Sequence, residues 1–380
     1  MIQHLSPETF RDMQDSENTY ALIDTRGPES YESWHVPGAV NHPFGPDEDL
    51  EEAERRELDR KTTDTDTAVT ICAKGITSET LAEELDDTDA FDDVYAVEDG
   101  MRGWSQVYDV APVRTGDPEI YQVQRRAKGC LGYVVGSDGE AAVVDPTRNT
   151  EVFRTVAENA GLEVTHVLDT HVHADHLSGG RDLADELGVP YHLGSGAQER
   201  GVEYEYEPLD HGDTITVGDT TIEALHTPGH TSELLSYRVE DEAVMTADTL
   251  FVDSTGRTEL EFDADAGREG ARQLYESLSD VLLTLPDDVT VLPGHVTVEE
   301  DGTFASGVPG EAVTTTIGGA KDAIDVLDVD EASFVETQVE NLPEKPPNYE
   351  TIIDVNRGKA TVDDEERAVD LELGPNNCAA

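Results

Sequence analysis

One stretch, THVHADHLSGG at residues 170–180, limits what this chain can fold into more than any other. It follows the apolar run VTHVLDT and gathers His171, His173, Asp175 and His176 within six positions. Histidines at i and i+2 converge only where the backbone is extended or turning, so the motif belongs on a loop leaving a strand. Imidazoles and a carboxylate brought together this way suit zinc, iron or manganese. Three later segments end in the same kind of side chain. HTPGHTS supplies His230, VMTADTLF supplies Asp248 at a strand end, and VLPGHVT supplies His295. The fold must therefore bring four strand-to-loop junctions to one place. His166, His192, His211 and His226 stand alone and are read as ordinary surface or core residues.

Strand-like and helix-like runs alternate in both halves, the pattern of α/β architecture. At 380 residues the natural division is into two domains. The expected boundaries are 1–112 for an N-terminal parallel-sheet domain, 113–119 for a linker, 120–310 for the metal domain, and 311–380 for a C-terminal extension packing on it. The linker is placed there because VAPVRTGDPEI carries prolines and a glycine.

Acidic residues number 84 against 25 basic ones, a formal net charge of -59 that argues against nucleic-acid binding. The acids are spread through helical patterns such as EDLEEAERRELDR. That is the surface expected of a protein in a salt-rich cytoplasm, where screening removes self-repulsion. No apolar run is long enough to span a bilayer, and MIQHLSPETF lacks the regions of a signal peptide, so a cytoplasmic protein without membrane contact is expected. Cys72, Cys130 and Cys378 are odd in number and far apart, which speaks against a disulfide framework. Cys130, in GCLGYVV, reads as a buried small hydrophobe, and Cys378 is assigned no role.

The order HxHxDH, TPGHT, ADTLF and PGH resembles the metallo-β-lactamase fold, over roughly residues 118–300. The resemblance implies an αβ/βα sandwich with its metal site at one edge, and it implies two chemistries. In a glyoxalase II-like thioester hydrolase, two zinc ions are held: His171, His173 and His230 on one, Asp175, His176 and His295 on the other, with Asp248 between them. In a persulfide dioxygenase, one Fe(II) per chain is held by His171, His230 and Asp248, with His173, Asp175, His176 and His295 in support. Both branches keep the same side chains. The GRTE segment resembles the GRTD of persulfide dioxygenases, which implies Arg257 as a contact for the thiol substrate. The tail is also similar to that branch's short ending. TPGHTSELLSY lacks the usual proline-glycine after the threonine, and ADTL stands where GDTL is usual.

In the first domain, TAVTICAKGITSETLAEEL reads as a buried strand, then Cys72, a short loop, and Ser78 placed to cap a helix. A thiol there faces backbone N–H groups and a positive helix end, which favour thiolate and bound anionic sulfur. With LIDTRGPESYESWHVPGAV before it and VYAVEDGMRGW after it, this block resembles a rhodanese domain. The resemblance implies a persulfide-carrying Cys72, with Asp24, Arg26 and His35 buttressing the loop. Thr77 stands where an arginine is usual, and Lys74 is the nearby cation.

Together the two resemblances imply oxidation of a small thiol persulfide, of the glutathione or γ-glutamylcysteine type, by O2 to sulfite and thiol. Sulfite and thiosulfate are then the expected partners of Cys72, and a homo-oligomer is possible. The alternatives are the dinuclear thioester hydrolase and a non-enzymatic sulfur-binding or persulfide-sensing module.

Overall fold

The computed structural model describes all residues except 1, 17, 63–64, 89, 262–266, 341, 343–344 and 375–380, so Cys378 lies outside the described residues. The N-terminal sheet contains β1 (Gln3–Leu5), β2 (Ala21–Asp24), β3 (Val40–Asn41), β4 (Thr67–Ile71) and β5 (Asp93–Val97). They run in the order β1-β5-β4-β2-β3, every pair parallel. β4 is apolar and buried along nearly its whole length because it lies at the centre of the sheet, between β5 and β2. Parallel strands end at a common edge, and Cys72 follows β4 at that edge.

The remainder is built on two sheets. One has seven strands: β6 (Tyr108–Arg114), β7 (Glu119–Arg125), β8 (Cys130–Ser137), β9 (Glu140–Val144), β10 (Glu163–Leu168), β11 (Tyr191–Gly194) and β12 (Glu207–Leu209). The other has six: β13 (Thr214–Val217), β14 (Thr220–His226), β15 (Leu235–Val239), β16 (Ala243–Ala247), β17 (Thr290–Pro293) and β18 (Thr315–Thr316). Alternating residues of each sheet, Tyr133, Val135 and Val144 from one and Ile222, Leu235 and Tyr237 from the other, meet in one apolar core. The opposite faces are covered by helices. Phe153 and Leu183 seal the first, and Leu274 and Ile317 the second. The result is the αβ/βα sandwich that the resemblance implies.

The segment 113–119, expected as a linker, is instead the end of β6, a turn and the start of β7, an antiparallel hairpin. β6 is the outermost strand of its sheet, where a proline such as Pro112 removes no needed ladder bond. The prolines that suggest a linker are thus edge-strand and turn residues. The two domains share a core: Phe10, Trp34, Val36 and Trp104 join Val296, Val298 and Phe304 in one contiguous cluster. The His35 N–H donates to the Glu300 carbonyl at 3.0 Å, and Arg126 pairs with both Asp15 and Asp109 at 2.7 Å.

The C-terminal residues pack on the sandwich as helices Glu331–Glu340, Tyr349–Asn356 and Glu365–Leu371. The last of these also reaches the first domain, where Arg102 meets Asp370 at 2.5 Å. Among the described residues no helix is long and apolar enough to cross a membrane.

Candidate metal centre and sulfur loop

β10 ends at Leu168, and the loop after it carries the histidine motif in an irregular backbone, as the i, i+2 spacing requires. Among the described residues three buried donor sets form at the edge of the sandwich: His171, His230 and Asp248; Cys130, Asp175, His176 and His295; and Asp145, Asp169 and His173. Within each set the ligand atoms lie within 4.8 Å of one another.

Each ring of the first set is aimed from behind. The Nδ1 of His171 lies 2.9 Å from the Thr170 hydroxyl, which itself donates to Asp145, and the Nδ1 of His230 donates to the Arg257 carbonyl at 2.8 Å. The Nε2 of His230 then lies 3.4 Å, and that of His171 3.8 Å, from Oδ2 of Asp248. His171 Nε2 and Asp248 Oδ2 are buried with no hydrogen-bond partner among the described residues. Buried polar atoms pointed at one another in this way fit a divalent cation, which would satisfy both. Burial, then the neighbouring His173 and His230, push His171 well below the ordinary imidazole range, leaving its lone pair available. Burial opposes the charge on Asp248, but His295 and His230 outweigh it and hold the carboxyl below its ordinary range.

In the second set, Oδ2 of Asp175 is 3.0 Å from His176 Nδ1, 3.0 Å from His295 Nε2 and 3.4 Å from the Cys130 sulfur. The other nitrogen of His295 is 2.6 Å from Asp248 Oδ1, which links the two sets through one carboxylate. The ring of His173 lies 4.2 Å from those of His171 and His176; its Nε2 is 3.2 Å from Asp145 Oδ1, and its Nδ1 is buried with no hydrogen-bond partner among the described residues.

Asp248 sits in a tight corner. Ala247 before it has a left-handed backbone, φ 48, where a glycine would be unstrained. Gly256, in the GRTE segment, approaches so closely that a Cβ would meet the Asp248 carbonyl oxygen at 1.7 Å.

In the first domain Cys72 is buried at the mouth of helix Ile76–Asp86. Gly75, at φ 84, is the N-cap, so the helix begins three residues earlier than a cap at Ser78 would place it. Ser78 instead stands inside the first turn and donates its hydroxyl to the Cys72 sulfur at 3.3 Å. Burial pushes the Cys72 thiol up, yet hydrogen bonds from Ser78, Thr77 and the Lys74 backbone bring it below the ordinary thiol range. Lys74 itself is exposed. Asp24 and Arg26 pair at 2.6 Å, and Arg26 also donates to the Trp34 carbonyl, bracing the strand beside β4.

The rhodanese-like domain family matches residues 6–107, and the metallo-beta-lactamase superfamily matches residues 125–295. The probable metallo-hydrolase YqgX of Bacillus subtilis is 32% identical over 184 residues, covering 43% of this chain and 83% of its own length. This chain belongs to the metallo-beta-lactamase superfamily. Within that superfamily it is also 38% identical over 165 residues to the cytoplasmic hydroxyacylglutathione hydrolase of Arabidopsis thaliana, over 42% of this chain and 60% of the relative. The chain thus spans about three fifths of the length of such curated relatives. Among solved structures, ETHE1 from Myxococcus xanthus shares 26% identity at a TM-score of 0.52, covering 63% of this chain and 99% of that one.

Every histidine and aspartate singled out by the motifs reaches the metallo-beta-lactamase site edge, although His173 joins the Asp145 set rather than the other two. Arg257 is wholly buried and paired with Glu259, and its carbonyl accepts from His230 Nδ1. Cys130 is buried, as expected, and its sulfur lies among the donor atoms of Asp175, His176 and His295. Sequence reasoning also missed Asn356, whose amide donates to the carbonyls of His173 and His176 at 2.9 and 2.8 Å, and Glu372, which accepts from the Leu177 N–H at 2.7 Å. A buried Glu233 accepts from the Val172 N–H at 2.9 Å. Asp145 was missed as well; its local signal is a strand-end aspartate next to a proline in AAVVDP.

Proposed function

We propose that this chain is an iron(II)-dependent persulfide dioxygenase fused to a rhodanese-type sulfurtransferase. The observation that carries the reading is the separation of the donors: His171, His230 and Asp248 close on one point while His173 is held by Asp145. Two imidazoles and a carboxylate on one side are the set that holds non-haem iron in oxygenases and leaves positions open. Iron(II) held there would supply a site at which a substrate sulfur and O2 meet. The proposed reaction is R-S-SH + O2 + H2O giving R-SH, sulfite and two protons.

The chain's own part is to hold the two rings in one tautomer, through Thr170 and the Arg257 carbonyl, and to keep the donors buried from bulk water. Arg257 acts in this reading by setting His230. Direct contact with a substrate carboxylate requires Glu259 to give way. In the first domain a persulfide on Cys72 can pass its outer sulfur to sulfite, giving thiosulfate and the Cys72 thiolate, and the lowered thiol favours that leaving group. A high-salt cytoplasm is the proposed setting.

A second reading, dinuclear thioester hydrolysis, is favoured by Asp248 Oδ1 lying 2.6 Å from His295, as a carboxylate shared by two ions would. Protein prepared without air decides between them. About one iron per chain and O2 uptake with glutathione persulfide are expected, with both lost in His171→Ala and Asp248→Ala. Two tightly held zinc ions with rapid hydrolysis of S-lactoylglutathione, and no O2 uptake, would overturn the dioxygenase reading.

A further inference from the structure

The last helix of the metal domain reaches the sulfur loop of the other domain. Ala368 and Leu371 bury against Leu177, beside the histidine motif, so one face of helix Glu365–Leu371 is fixed to the metal loop. Glu366 and Asp370, at i and i+4, share another face. That face meets Arg102: both Asp370 oxygens accept from its Nη2 at 2.5 Å, and Glu366 lies 3.4 Å from its Nη1. Arg102 is itself part of the loop's support, since its N–H donates to the Ala73 carbonyl at 3.2 Å and the Met101 N–H to the Cys72 carbonyl at 2.7 Å. Gly100 lies so close that a Cβ there would meet the Cys72 carbonyl oxygen at 2.1 Å.

The charges around Cys72 are thus divided between the two domains. Thr77 leaves the loop with one cation of its own, the exposed Lys74. Hydrogen bonds from Arg102, with the charges of Arg102, Lys74 and Arg367 behind them, hold the Asp370 carboxyl below its ordinary range, so Lys74 faces the same carboxylate as Arg102. On the loop's other side the backbone of the exposed Asp99 lies 3.1 Å from where a Cβ of Gly75 would stand. An anion approaching Cys72 therefore meets three carboxylates, and the arginine nearest the loop is already occupied. We infer that Glu366 and Asp370, carried by the metal domain, set the charge selectivity of Cys72: at low ionic strength they turn away anionic sulfur acceptors such as sulfite and favour uncharged ones, and salt lifts the restriction. The inference rests on the reading of Cys72 as a sulfur carrier. The two carboxylates act through their field at the mouth of the loop, without touching the acceptor. Unit charges about 8 Å apart in water change a rate roughly twofold each, and molar salt screens them at that range.

The test compares two alkylating reagents of nearly the same size, the anion iodoacetate and the uncharged iodoacetamide, on the full chain. With either, the Cys72 thiolate attacks carbon, a C–S bond forms and iodide leaves. Thiolate fraction and burial cancel in the ratio of the two rates, which site-resolved mass spectrometry measures at Cys72, and the reagent's charge remains. At about 0.05 M potassium chloride the iodoacetamide-to-iodoacetate ratio is expected to fall roughly three- to fivefold in the Glu366→Gln, Asp370→Asn double variant. At about 1 M and above, where the screening length is about 3 Å, parent and variant should coincide. A merely structural role would change both reagents alike. Asp370→Asn keeps an oxygen for Arg102, and Glu366→Gln alone, at an exposed side chain, should lower the ratio roughly twofold without touching the tighter pair. Asp322→Asn with Glu336→Gln, on the helices that cover the second sheet, makes the same change in net charge elsewhere and should leave the ratio as in the parent. An unchanged ratio in the first pair, an equal shift in the second, or a difference that salt does not erase would each overturn the inference. Alkylation needs neither persulfide nor acceptor, so failure here and failure of the sulfurtransferase reading are distinguishable.

Discussion

Ser78 shows how one hydroxyl sets the chemistry of its neighbour. It donates to the Cys72 sulfur at 3.3 Å, and with Thr77 and the Lys74 backbone it more than offsets the burial that disfavours a thiolate. A lowered thiol stays ionised to lower pH than an ordinary cysteine. Ser78→Ala removes one donor to the anion, so the pH profile of Cys72 alkylation should move upward. Below its inflection the rate should fall by roughly tenfold at most, the equivalent of about 1.4 kcal/mol. Site-resolved mass spectrometry after iodoacetamide pulses would measure it, and an unmoved profile would show that the backbone N–H groups suffice. Cys72 was legible in sequence because strand, cysteine, glycine loop and helix are contiguous. The cap was not, because Gly75 and Ser78 both suit a helix start, and only the left-handed backbone at Gly75 decides between them. Cys130 was legible as a buried residue, but its polar neighbours were not, because His295 and Asp175 lie far along the chain from it.

The loop that carries HxHxDH is held by elements that follow it by more than a hundred residues. Helix Tyr349–Asn356 ends in Asn356, whose amide group donates to the backbone carbonyls of His173 and His176 and accepts from the Ser178 N–H at 3.0 Å. Asn356→Ala leaves every metal donor in place but frees the loop. Metal affinity should fall by about 10- to 100-fold, as for other residues that orient ligands from behind. A competition titration with a chelator reads that directly, and an affinity equal to the parent's would show that Glu233 and Glu372 hold the loop without it. The metal donors could be read from sequence because each lies in a short motif at a strand end. Asn356 could not, because an asparagine in NRGKA carries no mark of what it will touch. The same limit hid the hairpin over 113–119, whose prolines signal a break in the chain but not that β6 is an edge strand that tolerates them.

The two domains are joined by more than apolar contact. Arg125, wholly buried, donates to the Ser105 carbonyl at 2.7 Å and pairs at 3.0 Å with the equally buried Glu372. Ser105 follows the short helix Gly100–Trp104, whose Met101 and Arg102 N–H groups donate to the carbonyls of Cys72 and Ala73. A continuous set of polar contacts thus runs from the sulfur loop to the metal loop. Around it lies a surface carrying most of the -59 net charge. Self-repulsion of that size should make stability rise with salt, because the screening length falls from about 10 Å at 0.1 M to about 3 Å at 1 M. Glu372→Gln should lower stability by about 3–5 kcal/mol at every salt level, since it leaves Arg125 buried and unpaired where added ions do not reach. Denaturation followed across potassium chloride concentrations tests both; a flat salt response, or a deficit that salt repairs, would contradict the argument.

The position of Glu372 has a temporal meaning as well. A ribosome makes His171 about two hundred residues before it makes the carboxylate that secures the neighbouring Leu177 N–H. During that interval the nascent chain has the donors but lacks the brace behind them. Tight metal binding is therefore expected to be among the last events of biosynthesis, after Asn356 and Glu372 have left the exit tunnel, and a chain stalled before them should hold metal more weakly than the finished protein.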